Sequence, residues 1–225
     1  MKKVLLFTLC LSSIVMLFSF RSIFQKKPSG KEVVQKLESL GYFKYAQSSK
    51  VAELKKALAE GYATHGALVT TYEMPKYQSA DYRLYGLDGE TLYEEGGFKS
   101  YLSDMERTFK KLNVNLKIEN EIEEYSQSGG LNHIIWVNGK EYVIFRNDQG
   151  SANSWGVAAK RYAEMVNDIL SRSKSPERLY LMSGGNDGEA VFLTQEQFQY
   201  IKNTFPNSES KPLSVEEWSK KYRLK

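Results

Sequence analysis

A single cysteine, Cys10, occurs in the 225 residues. No intramolecular disulfide can form, and no cysteine-based zinc site can be built. With only two histidines, His65 and His133, there is little material for histidine-rich metal chemistry. Charge of one sign is also lacking. Lys plus Arg number 31 against 27 Asp plus Glu, a net +4, too mild to point to nucleic acid without a clustered basic face. Nucleophile elbows, phosphate loops, dinucleotide fingerprints and zinc-protease helices are absent as motifs. No internal repeat or low-complexity tract occurs. What remains is 41% hydrophobic, 13% aromatic and 26% charged residues, proportions that exclude a disordered chain, a collagen and a multi-span membrane protein.

One long apolar run stands at the start. Met1-Lys2-Lys3 is basic, Val4 to Phe20 carries no charge, and Arg21 follows. As a helix this run would cover roughly 26 Å, and Ser22, Ile23 and Phe24 extend it toward the ~30 Å hydrocarbon core. It is apolar all round, unlike an amphipathic core helix. A cleaved signal peptide should end in small residues, whereas Met16-Leu17-Phe18-Ser19-Phe20 is bulky. Leu9 before Cys10 argues against lipidation there. The reading is a retained single-pass anchor, with secretion after signal cleavage as the alternative. Orientation is contested by the residues. Arg21, Lys26, Lys27 and Lys31 after the run favour a cytosolic carboxyl-terminal part. The Met-Lys-Lys start is the export pattern, and an extracytoplasmic domain is the favoured expectation. The partition is therefore anchor or signal 1–24, linker 25–30, a helical pair 31–62, an α+β domain 63–206, and a linker with a terminal helix 207–225.

Within the soluble part, Val33, Val34, Leu37 and Leu40 share a helix face that Gly41 ends. Val51, Leu54 and Leu58 mark a second helix ending at Gly61. Residues 66–73 (GALVTTYE) and 82–85 (YRLY) read as strands. Phe98, Tyr101, Leu102, Met105, Phe109 and Leu112 predict an amphipathic helix. Residues 114–119 alternate as a half-buried strand. Residues 133–137 and 140–145 form a hairpin about Asn138-Gly139, the dipeptide of a type I′ turn. Trp155 to Ile169 carries the longest helical pattern, with Ser154 as its cap. Residues 179–182 and 190–193 are strands about a glycine-rich turn. Thr194 with Gln197, and Ser214 with Glu217, are capping boxes. Helices separated by hairpin-linked strands imply an α+β fold, a single domain with a mixed, mostly antiparallel sheet covered by helices.

The order helix–strand–strand–strand–helix–strand over 97–182 resembles the restriction-endonuclease-like core, whose nucleases place an Asp on one strand and Glu-x-Lys on the next. Here Glu141 is followed by Val143 in the lysine position, and the strand 133–137 has no acid. The motif fails, and no nuclease activity is expected. With no catalytic constellation, the leading expectation is a non-enzymatic protein-binding module, inhibitor- or immunity-like, tethered to or exported across a bacterial-type envelope. Aromatics expected to face outward on strands include Tyr82, Trp136 and Tyr142, since Tyr and Trp favour interfaces. Trp136 and Tyr142, with Asn186 and Asp187 at the glycine-rich tip, are the candidate partner surface. The expected partners are the membrane, through the first helix, and an unidentified protein, with no cofactor and no nucleic acid. Two alternatives are an envelope hydrolase using Glu119 or Glu141 with His133, and a structural envelope component.

Overall fold

The computed structural model describes residues 27–73, 78–184, 188–207, 209 and 211–224. The apolar run at 4–20, and with it the anchor or signal reading, lies outside the described residues. So do Asn186 and Asp187. Among the described residues, no helix is long and apolar enough to cross a membrane.

The architecture is α+β. In chain order it runs α1 (Gly30–Ser39), two short 3₁₀ turns, α2 (Val51–His65), β1 (Tyr72–Glu73), β2 (Gln78–Ser79) and β3 (Leu84–Gly86). Then come α3 (Gly89–Glu94), α4 (Gly97–Asp104), α5 (Glu106–Lys111), β4 (Ile118–Tyr125), β5 (Leu131–Val137) and β6 (Lys140–Asp148). The chain continues with α6 (Ser154–Arg172), β7 (Glu177–Leu181), β8 (Glu189–Thr194), α7 (Gln195–Thr204) and α8 (Val215–Lys221). Among the described residues, the expected single mixed sheet is instead three small sheets, β1–β2, β3–β8–β7 and β4–β5–β6, each wholly antiparallel. Short connections explain the antiparallel pairing of the consecutive strands, since a parallel pair needs a long crossover, whereas β3 and β8 are brought together by the fold from distant parts of the chain. The resemblance to the endonuclease core ends here too: β7 leaves β4–β5–β6 and pairs with β8.

The central sheet β3–β8–β7 separates two hydrophobic cores. Tyr85, Leu179, Leu181, Ala190 and Phe192 face the first core. Leu84, Tyr180, Met182, Val191 and Leu193, their neighbours by one residue, face the second. Side chains alternate across a strand, so a sheet buried on both faces must be apolar at nearly every position. That is why the tracts 179–182 and 190–193 are continuous rather than alternating. The second core is filled by α1, α2 and α7, through residues such as Val33, Leu37, Leu54, Leu58, Phe198 and Ile201. The helical pair thus shares a core with the central sheet. The first core is filled by α4, α5, α6 and one face of β4–β5–β6.

Both capping boxes form as the sequence implies, and a third joins Ser29 to Glu32 at the start of α1. Gly41 takes a left-handed φ of 74° after α1. Several boundaries differ from expectation. The second helix runs through Gly61 to His65, because Gly61 packs against the Val69 methyls, where a Cβ would collide. Gly66, at φ 64°, closes that helix instead of opening a strand, and only Tyr72–Glu73 of the tract 66–73 is paired. The helix over 98–112 is broken at Met105 into α4 and α5, although its apolar face stays continuous and buried. Ser154 is the first residue of α6 and its hydroxyl accepts from Ser151 N at 2.7 Å, while Asn153 occupies the cap position. Tyr82, expected outward, is 3% exposed.

Arg83 is the main polar joint. It is fully buried and pairs with Glu177, also buried, at 3.3 Å. Its guanidinium donates to the carbonyls of Tyr42 (2.6 Å), Phe192 (2.9 Å) and Gly41 (3.3 Å), and lies over the rings of Tyr42 and Tyr45. One side chain thereby ties the turn after α1 to β7 and β8.

Candidate functional site

Among the described residues, β4–β5–β6 is the one of the two three-stranded sheets with an uncovered face. β5 and β6 are joined by the Asn138-Gly139 turn, with φ 53° and 72° as a type I′ turn requires. The turn is braced from outside: Asn138 Nδ2 donates to Asn115 O (2.7 Å), and Glu119 Oε1 accepts from Gly139 N (3.2 Å). Glu119 sits at a bulge between Ile118 and Asn120. The alternation of 114–119 is real in burial, but the paired strand begins only at Ile118. It continues to Tyr125, through an acidic stretch, IENEIEEY, that does not read as a strand.

Directly paired residues share a face. On the inner face, Leu131, His133, Ile135 and Val137 are fully buried in the first core. His133 Nε2 lies 2.9 Å from Glu121 Oε1, and the Phe98 ring meets the imidazole edge-on at 4.8 Å. Beside them, burial raises the Glu123 carboxyl above its usual range. The His133 charge opposes this and the Glu121 charge adds to it. Tyr142 pairs with Ile135 and is on this inner side, half-buried. Its hydroxyl donates to Asp168 Oδ2 of α6 at 2.6 Å. Burial and that hydrogen bond push the phenol up to about 12.

On the outer face, Ile122 pairs with Ile134 and Ile134 with Val143, an apolar stripe crossing all three strands. Trp136, flanked by Asn120 and Glu141, forms the next row. Ile122 is 37% and Val143 42% exposed, and Ile134 and Trp136 are half-buried without belonging to either core. Of the sequence-derived candidates, Trp136 therefore lies on this face while Tyr142 lies on the other. Ile122, Ile134 and Val143 were missed. The period-2 pattern of β5 could have found Ile134, but Ile122 is hidden among glutamates.

The hydrolase candidates are not brought together. His133 is on the inner face with 0% exposure, Glu141 is on the outer face opposite Trp136, and Glu119 is spent on the turn amide. Glu121, which does meet His133, forms a buried-edge pair with no access for a substrate at the imidazole. Among the described residues, no group of three or more His, Cys, Asp or Glu side chains could hold a metal ion.

A groove of about 570 Å³ runs between β6 and α6, lined by Lys140, Arg146, Arg161, Glu164 and Asp168 among others. Part of its charge is already engaged: Lys140 Nζ lies 2.8 Å from Asp168, and Arg161 donates to Ile144 O and stacks on Phe145. Burial opposes ionisation of Asp168, but hydrogen bonds from Lys140 and Tyr142, with the charges of Lys140 and Arg172, outweigh it and hold its carboxyl below the usual range. A lowered folded-state value means stability that is present above the unfolded value near 3.9 and lost as pH falls through the folded one. The pair is partly exposed, so its worth is about 1 kcal/mol or less. Asp168→Asn should therefore cost that much in urea unfolding at pH 7, with the difference shrinking below about pH 4. A difference constant with pH would contradict the assignment.

Comparison with known proteins finds no matching family model, curated protein or solved structure.

Proposed function

We propose that this chain is a non-enzymatic recognition module that acts by protein–protein contact through the outer face of β4–β5–β6. The observation that carries the reading is the registered stripe Ile122–Ile134–Val143 with Trp136 beside it. It is a row with Ile122 and Val143 exposed and Ile134 half-buried, on a sheet whose opposite face buries Leu131, His133, Ile135 and Val137. Among the described residues no core covers this row, cross-strand pairing alone stabilises it only modestly, and contiguous exposed apolar surface marks interaction sites. Trp136 adds the aromatic anchor typical of interface centres. The β6–α6 groove, with Lys140 and Asp168 engaged with each other, and the buried imidazole supply no comparable apolar surface. The apolar run at 4–20, read as an anchor or export signal, supports an envelope setting with the module on the extracytoplasmic side.

Val143→Glu tests this reading. A charge in the stripe costs little folding stability at a solvent-facing position but opposes burial against a partner. Full-length chain extracted in mild detergent from its native host should sediment as a stoichiometric complex. The Val143→Glu chain should sediment as the free protein, with an unchanged melting temperature. If both chains sediment alike, the reading fails.

A further inference from the structure

Resting on that reading, we infer that the free edge of β4 is the docking strand for an extended basic segment of the partner, which adds to the sheet beside β4. The three longer strand edges of the molecule are treated differently. At β7, Asn167 donates to Leu179 O (2.9 Å) and accepts from Leu179 N (2.7 Å), and Leu213 closes both Leu181 backbone groups. At β6, Arg161 occupies the Ile144 carbonyl. Along β4, eight residues long, no backbone hydrogen bond other than those to β5 is formed among the described residues, and most of its side chains are exposed. An uncovered edge of unpaired amides and carbonyls is a template for another strand.

Charge selects the occupant. Within a chain of net +4, β4 carries Glu119, Glu121, Glu123 and Glu124 and no Lys or Arg. A second copy pairing through β4 would set these four glutamates against the same four, and like charges directly opposite destabilise a pair. Nucleic acid and anionic lipid are repelled for the same reason. A basic strand is attracted, and the registers specify its pattern. Positions beside Glu121 and Glu123 lie on the inner side, whereas the position beside Ile122 extends the outer apolar stripe. The fitting sequence alternates basic and apolar residues, as in Lys-Val-Lys. The added strand would lie ~4.8 Å from β4 and extend the recognition face by one row.

The probe is an eight-residue alternating Lys–Val peptide, blocked at both ends, titrated into the full-length chain in non-ionic detergent and followed by fluorescence anisotropy. Saturable binding is expected, at least about tenfold tighter than for the Glu–Val counterpart. Either Glu123→Lys or Glu124→Lys should weaken it at least about tenfold, and raising salt from about 0.05 to 0.5 M should weaken it several-fold. N-methylation of alternate amides in one frame should abolish binding while the other frame is tolerated, since only one set of amides faces β4. Absence of saturable binding, equal binding of both N-methylated frames and the unmodified peptide, or indifference to both glutamate substitutions would overturn strand addition. If that happens while the Val143→Glu chain still loses a complex that the wild-type chain forms, the edge proposal alone has failed. If no complex forms with either, the recognition reading has failed with it.

Discussion

Arg83→Met should lower the free energy of unfolding by about 3–5 kcal/mol, a large share of the total stability of an ordinary domain. The residue is fully buried, and its removal leaves Glu177 as an uncompensated buried charge. It also strips donors from the carbonyls of Gly41, Tyr42 and Phe192. Glu177→Leu should be destabilising for the converse reason. The double variant Arg83→Met/Glu177→Leu removes both charges and should be more stable than the sum of the two losses implies, by at least about 1–2 kcal/mol. It should not return to the wild-type value, because the three carbonyls stay without their donor. Urea unfolding of the four proteins measures this directly. Additive losses would show that Arg83 and Glu177 act independently and that the pair is not the joint between the helical turn and the central sheet.

The second large effect contrasts two sheet positions. Phe192, on the central strand β8, is fully buried and meets Tyr85 and Phe109 edge-on at 5.9 Å each. Phe192→Ala should cost about 3–5 kcal/mol, the transfer term plus the cavity left between packed rings. Val143→Ala, on the outer face of β6, should cost no more than about 0.5 kcal/mol. The two substitutions share a secondary structure and differ in what covers the side chain. A comparable loss at Val143 would mean that the stripe is held by the fold and is not free for a partner.

The sequence was most informative where a local signal decides a local structure. Asn138-Gly139 set the hairpin, two capping boxes set the starts of α7 and α8, and helical spacing set the buried faces of α1, α4 and α6. Tertiary context decided the rest. Gly61 reads as a stop but serves close packing against Val69, and Gly66, five residues on, makes the left-handed turn. Tyr82 and Arg83 look like surface residues of an amphipathic strand. Their polar partners come from distant segments that no local pattern reveals: Gln47 and Arg107 donate to the Tyr82 hydroxyl, and Glu177 and the carbonyls of Tyr42 and Phe192 meet the Arg83 guanidinium. The division into three sheets depends on which strands meet, which spacing does not encode. At the candidate site, Trp136 was legible from strand alternation. The stripe was not, because Ile122 stands in an acidic tract whose strand character comes from pairing with β5. Tyr142 has the composition of an interface residue, but its register places it against Asp168.

The most direct measurement is site-specific photo-crosslinking in intact native cells, with a photoreactive residue placed in turn at Val143, Ile134 and Lys56. The first two lie on the outer sheet face, and Lys56 is an exposed position on α2, its side chain 77% accessible. A discrete adduct of the same mass from Val143 and Ile134, with none from Lys56, is the predicted result. No adduct from the sheet positions, or the same adducts from Lys56, would contradict a partner seated on that face.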